Sequence, residues 1–207
     1  GFVGSESFGF DQTAADKIDG LYSDANVSRR NGAVVDKDIA YSGLQTAFAD
    51  NATRDTTGYA RNYRIDGDTV MSHGSLKAAR HAAGAVVQAV DMVMNKKAWH
   101  AFCAVRPPGH HAHSDKAGGF CLLNNVAAGV MHAIAEYRLQ RIAIIDFDVH
   151  YGDGTAEIFK DDPRVLFMNL FETDLFPFPE TNHSANGANM LHLPFASNTG
   201  SRVFRTT

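Results

Sequence analysis

The sequence predicts an α/β domain built on a mostly parallel sheet. Three observations predict it. Short apolar runs, of strand length, alternate with segments of helical period. Gly- and Pro-containing breaks separate them. The unusual polar residues fall just after the apolar runs, where open parallel sheets form their sites.

Residues 1–62 are polar and rich in Gly, Asp, Asn, Ser and Thr, without a strong period; within them, 33–50 reads as a short strand and helix. Ser75 suits the N-cap of a helix reaching about Asn95, with Leu76, Ala79, Ala83, Val86, Val87, Val90 and Val93 as its apolar stripe. Trp99–Val105 is short, apolar and stopped by Arg-Pro-Pro-Gly, which reads as a buried strand. Asn124–Tyr137 is a second helix, with Val126, Val130, Ile134 and Tyr137 on one face. Arg141–Phe147 (RIAIIDF) is a second strand, Thr155–Phe159 a short helix, and Arg164–Leu170 (RVLFMNL) a third strand. The order implies that the three strands lie parallel and adjacent in one sheet covered on both faces, because parallel strands need crossovers that bury the sheet between helices.

Composition narrows the function classes. The 207 residues, 44% hydrophobic, suit one domain with a sizeable core. A net charge of -4 argues against direct nucleic-acid binding. The two cysteines, Cys103 and Cys121, form no disulfide framework and fit a reducing compartment. No apolar run has the length to span a bilayer, and the first residues lack a signal-peptide pattern, so a cytoplasmic protein is expected.

Four motifs could carry chemistry. RPPGHHAH (Arg106–His113) follows the first predicted strand, and an imidazole can both take and give a proton near neutral pH. Among ten histidines a tandem pair is weak by itself, since chance supplies roughly 0.4 of one. IDFDVHYGDG (Ile145–Gly154) closes the next strand. In extended backbone Asp146, Asp148 and His150 share one face, opposite Phe147 and Val149, and a carboxylate and an imidazole two residues apart suit zinc or ferrous iron. The same string could simply cap the following helix, but two carboxylates directly after RIAII are costly without partners. GGFCLLNN (Gly118–Asn125) lets backbone approach a ligand, with Phe120 either walling a slot or joining the core; Cys121 has no activating neighbour and reads as a small buried side chain. LFPFP (Leu175–Pro179) is a stiff apolar loop that could line a pocket or pack on the fold.

RPPGHH, GGFCLLNN, IDFDVHYGDG and a Phe-Pro loop, in this order, closely resemble the histone-deacetylase superfamily, including its bacterial and acetylpolyamine-amidohydrolase members. DGDTVMSHGSLKAARHAAGAVVQAVD and LHLPFASNTGSRVFR add to the likeness, which covers about residues 63–205 of a single domain, 1–207, and leaves 1–62 poorly matched.

The resemblance implies a three-layer α/β/α fold around a mostly parallel sheet, as in arginases, and a metal-dependent amidohydrolase. Asp148 and His150 match two of three metal ligands, for Zn2+ or alternatively Fe2+. His110 and His111 match the tandem catalytic histidines, the second as general base, with Asp146 and Asp153 as their carboxylate partners. Gly119, Phe120 and Phe176 match the walls of a substrate tunnel. Backbone carbonyls of Asp146, Asp148 and His150, with the Asn169–Leu170 region, match a structural K+ site. The implied substrate is a small acyl-amine or an acetylated lysine, and a homo-oligomer is compatible with it.

The departures are Tyr151 where relatives often carry histidine, and His113–Ser114 for a frequent Glu-Pro; Tyr151 is expected to point away from Asp148 and His150. The third metal ligand and the oxyanion-donating tyrosine of the family have no counterpart after Leu191, so the chain reads as truncated at its C-terminus and poorly active alone. His113, His183 and His192 would be the spare donors. Two functions stay open: a deacetylase, or a catalytically incomplete relative that only binds acyl-amines.

Overall fold

The computed structural model describes residues 62–179 and 187–207. The predicted strand and helix within 33–50, and His183, lie outside them. A two-stranded antiparallel ribbon, β1 (Tyr63–Arg64) and β2 (Val70–Met71), precedes helix α1 (Ser75–Met94). Then follow α2 (Asn125–Tyr137), β3 (Ile142–Asp146), α3 (Asp153–Phe159), β4 (Val165–Glu172), β5 (Met190–Phe195) and the single turn α4 (Ser201–Phe204). The strands β3, β4 and β5 form one sheet in that order, all parallel, with Ile144 opposite Phe167 and Asn169 opposite His192.

Both long helices form where the apolar period places them. Helix α1 buries Ala79, Ala83 and Val87 of the expected stripe, together with Ala82; Leu76, Val86 and Val90 are half-buried and Val93 is exposed, and Gly74 is the N-cap with Ser75 the first residue. Ser75 still serves the helix start, its Oγ accepting from the Ser72 N–H at 2.9 Å. Helix α2 is capped by Asn124, whose Oδ1 accepts from the Ala127 N–H at 3.0 Å. It is buried nearly all round because α1 covers its outer side and the sheet its inner side. Gly129 makes the helix pair possible: a Cβ there would stand 2.6 Å from Val86 Cγ1.

The main core lies on one face of the sheet. Ile144, Val165, Phe167 and Phe171 point into it and meet Ala127 and Val130 of α2, Ala156 and Phe159 of α3, and Tyr151. Tyr151 is buried there against Phe171 and His192, as expected away from Asp148 and His150. The opposite face presents Ile145, Phe147, Leu166 and Leu191 to solvent; no helix among the described residues covers it.

One predicted strand is corrected. Trp99–Val105 is irregular, with Trp99 98% and Phe102 91% exposed, and the third parallel strand is instead β5. An apolar run becomes a strand only where a partner completes its ladder, and none of the described strands pairs with this segment. No strand was expected over Met190–Phe195. Pro194 is tolerated since β5 is an edge of the described sheet, with one neighbour only.

Candidate active site

Strand β3 ends at Asp146, and the next residues fold over the carboxyl end of the sheet before α3 begins. The histidine loop lies against this turn. The Thr155 N–H donates to the His110 carbonyl (3.1 Å), and Asn124 Nδ2 donates both to the Ala112 carbonyl (3.1 Å) and to Thr155 Oγ1 (3.0 Å). Asn125 Nδ2 donates to the Pro107 carbonyl at 3.0 Å. The loop is therefore fastened to the starts of both α2 and α3.

Each of the paired histidines meets its own carboxylate. His110 Nδ1 lies 2.9 Å from Asp146 Oδ2, and His111 Nδ1 lies 2.7 Å from Asp153 Oδ1. The two rings are 4.0 Å apart between centroids. Gly152 allows the first contact, since a Cβ there would stand 2.5 Å from Asp146 Oδ2. Gly119, at φ +54°, allows the second ring its place, because a Cβ would stand 2.7 Å from His111 Cδ2. Burial disfavours a charged His110, but the Asp146 hydrogen bond and the charges of Asp146, Asp148 and Asp153 outweigh it and raise the His110 pKa above its ordinary value.

Asp148 and His150 come together beside this pair. His150 Nδ1 is 3.0 Å from Asp148 Oδ1, and His110 Nε2 is 4.0 Å from the same oxygen. The His111 and His150 ring centroids are 5.9 Å apart. Burial would raise the Asp148 pKa, but the His150 N–H and the neighbouring histidines hold it below the ordinary carboxylate value. An imidazole nitrogen and a carboxylate oxygen this close match the separation of about 3.3 Å that ~2.0–2.1 Å bonds to a tetrahedral zinc would give, so the donor pair fits such an ion. No group of three or more metal-binding side chains is assembled among the described residues.

One aromatic ring flanks the histidines. Phe176 stands edge-on to His111, with centroids 4.9 Å apart. Phe120 is 61% exposed at φ +67°, on a turn that the sequence reading did not connect to β1–β2. The Gly119 N–H donates to Asp66 Oδ2 (3.2 Å) and the Phe120 N–H to Thr69 Oγ1 (2.9 Å). Neither this turn nor its partner was assigned from the sequence. Asn169, predicted near a K+ site, is fully buried; its Oδ1 accepts from the Gly152 N–H (2.8 Å) and its Nδ2 donates to the Asp146 carbonyl (3.3 Å). Leu170 follows it on β4. Burial pushes the Cys121 thiol up to about 11, consistent with a packing role.

His113 and His192 are apart from the Asp148–His150 pair: His192 packs on Tyr151, and His113 Nε2 lies 2.9 Å from Asp153 Oδ2. Burial opposes a charged Asp153, yet the hydrogen bonds from His111 and His113 hold it well below the usual carboxylate range. His113 is raised by the same bond against the effect of burial. The linkage signs follow. A lowered Asp153 stabilises the fold above its ordinary value of 3.8 and loses this as pH falls. A raised His113 stabilises below its ordinary 6.5 and loses this as pH rises through its higher folded value. The stability difference between wild type and Asp153→Asn, read from urea midpoints, is therefore expected to be largest between about pH 4 and 6.5 and to shrink on both sides. A difference that is flat with pH would remove the His113–Asp153 pair from the account.

The model of the histone deacetylase domain matches residues 36–207. Type-2 histone deacetylase 1 of Dictyostelium discoideum is 44% identical over 147 residues, covering 67% of this chain and 10% of that protein. A probable deacetylase of Archaeoglobus fulgidus is 41% identical over 140 residues, 66% of this chain and 39% of that protein. Polyamine deacetylase HDAC10 of Mus musculus is 46% identical over 113 residues, 53% of this chain and 17% of that protein. The chain thus spans between 10% and 39% of the length of these relatives. The crystal structure of the HDA15 HD domain superposes with a TM-score of 0.65 at 23% identity, covering 94% of this chain and 58% of that one, a likeness of fold. With a family match over most of its length, and the deacetylase-like α/β fold beneath it, the chain belongs to the histone deacetylase family.

Proposed function

We propose that this chain carries the site of a metal-dependent amidohydrolase that removes acetyl or other acyl groups from an amine, such as acetyl-lysine or an acetylpolyamine. One observation carries the reading: His110, His111, Asp148 and His150 gather at the carboxyl end of β3, with each of the tandem histidines held by its own aspartate. Family membership supports the reaction class, and the polyamine deacetylases among the relatives keep polyamines within the substrate range.

Asp148 and His150 would hold the ion, Zn2+ or alternatively Fe2+. The chemistry a bound ion supplies is Lewis acidity toward the acyl carbonyl and a water molecule. His111 takes the proton of the attacking water at Nε2, because Asp153 occupies Nδ1. His110, raised by its aspartate neighbours, favours the protonated form that can donate to the leaving amine. Gly119, Phe120 and Phe176 would flank an extended acyl-amine chain, and carbonyls of Asp146, Asp148, His150, Asn169 and Leu170 would face a structural K+. We place the whole chain in one deacetylase-like domain and the protein in the cytoplasm. Among the described residues no helix is long and apolar enough to cross a membrane.

A second reading, acyl-amine binding without turnover, is favoured by the absence of a three-donor cluster among the described residues. Metal analysis with a fluorogenic acetyl-lysine assay separates the two, on this chain and on a longer protein containing it. Deacetylation is expected to be chelator-sensitive and abolished by Asp148→Ala. Saturable binding of the acetylated peptide without release of acetate would favour the second reading.

A further inference from the structure

The carboxylate that holds the candidate base is itself held. Asp153 Oδ1 is taken by His111 Nδ1 at 2.7 Å and Oδ2 by His113 Nε2 at 2.9 Å, so both oxygens have imidazole partners. We propose that His113 is a positioning residue, which fixes the Asp153 carboxylate so that it holds His111 in one tautomer. The proposal rests on reading His111 as the base.

His113 is well placed for this. Its own N–H donates to the Lys116 carbonyl at 2.9 Å. The next residue is pinned twice, Ser114 N–H and Oγ donating to Glu157 oxygens at 3.0 and 3.2 Å. Asp153 and Glu157 stand one turn apart on α3, so a single helix face clamps residues 111–114. The Asp153 side chain is 24% exposed. Without His113, its second oxygen would turn toward water, and the carboxylate could rotate about its terminal bond. With both oxygens engaged, that rotation would break one charge-assisted hydrogen bond.

The consequence reaches the base. A carboxylate this far below its ordinary pKa only accepts, so His111 must donate from Nδ1 and His113 from Nε2. Nε2 of His111 is then left as the acceptor, on a ring whose centroid lies 5.9 Å from that of His150. The His111 ring has other supports: Phe176 edge-on, His110 beside it, and Gly119 beneath. Loss of His113 therefore leaves the ring in place and frees its tautomer, an effect on the chemical step more than on substrate binding. Neither the tandem-histidine motif nor the strand alternation pointed to this, because His113 meets Asp153 across 40 residues.

The test uses the 15N-labelled 207-residue chain and two-bond imidazole spectra. His111 is expected as a single Nδ1–H tautomer in the wild type. It should become a tautomer mixture in His113→Phe, which keeps a ring of similar volume without a donor. His113→Gln places an N–H at the reach of Nε2 and should restore the single tautomer. In the deacetylase assay, His113→Phe should lower kcat about 10-fold with KM within about 2-fold, and His113→Gln should recover most of it. An unchanged His111 spectrum in His113→Phe, or a Gln variant as impaired as Phe, overturns the proposal. Absence of turnover in the wild type would defeat the deacetylase reading alone, and the spectra would still decide the role of His113.

Discussion

His111→Ala is expected to lower kcat by about 10²–10⁴-fold while KM changes little, the range for loss of a general base. The expectation follows from what the imidazole touches. Its Nδ1 is committed to Asp153, its ring is wedged between His110 and Phe176, and it is nearly buried. Nothing in that arrangement serves a ground-state substrate, whereas an acceptor at Nε2 matters when a water proton departs. The assay is steady-state hydrolysis of a fluorogenic acetyl-lysine peptide by a protein that carries this site. His113→Ala is the informative control. A loss there equal to that of His111→Ala would mean that His113, not His111, touches the reacting atoms. A loss near 10-fold fits a residue acting through Asp153.

Part of this architecture was legible because the deciding chemistry is local. Helix α2 was expected from Asn124 and starts one residue later, with Asn124 as its cap, its side chain serving an N–H only three residues on. The strand RIAIIDF and the helical period of α1 are stated in a single window, although of the α1 valines only Val87 is buried. The segment 99–105 failed for the complementary reason: its apolar residues are compatible with a strand, but a ladder partner is a property of the fold, and Trp99 and Phe102 are exposed.

The site divides in the same way. Extended backbone after Asp146 was expected to put Asp148 and His150 on one face; they do meet, at 3.0 Å, but the strand has ended at Asp146 and a bend, with the His150 N–H on Asp148 Oδ1, brings them together. The contacts from His110 to Asp146 and from His111 to Asp153 join residues 36 and 42 positions apart, which periodicity cannot pair; there the family likeness was informative. Where this chain departs from the family, at His113, neither route led to Asp153. The hold of Asp66 and Thr69 on Gly119 and Phe120 was missed because it joins residues 53 and 51 positions apart.

Gly154→Ala is expected to destabilise the fold by about 3 kcal/mol, at the upper end for overpacking, and to lower kcat as well. Gly154 is buried at the second residue of α3, directly against the histidine loop. A Cβ built there falls well inside 3.0 Å of the Ala112 carbonyl oxygen and carbon and of the His111 carbonyl carbon. All three are backbone atoms, so no side chain can swing aside. Either the helix must retreat or the loop must, and the two are tied by the Thr155 N–H on the His110 carbonyl and by Asp153 on His111. A loss of this size is a large share of the ~5–15 kcal/mol that holds a domain together. The protein that remains folded would carry a displaced histidine pair, and a shift of about 1 Å in a catalytic group can cost ~10² in rate. Gly67→Ala serves as the reference, since nothing lies within 4 Å of its added Cβ, and should stay within about 0.5 kcal/mol of wild type. Urea midpoints for the two variants, with kcat measured below the transition, test the claim. Equal midpoints would mean that α3 and the histidine loop are not in the tight contact that sets the His111–Asp153 distance.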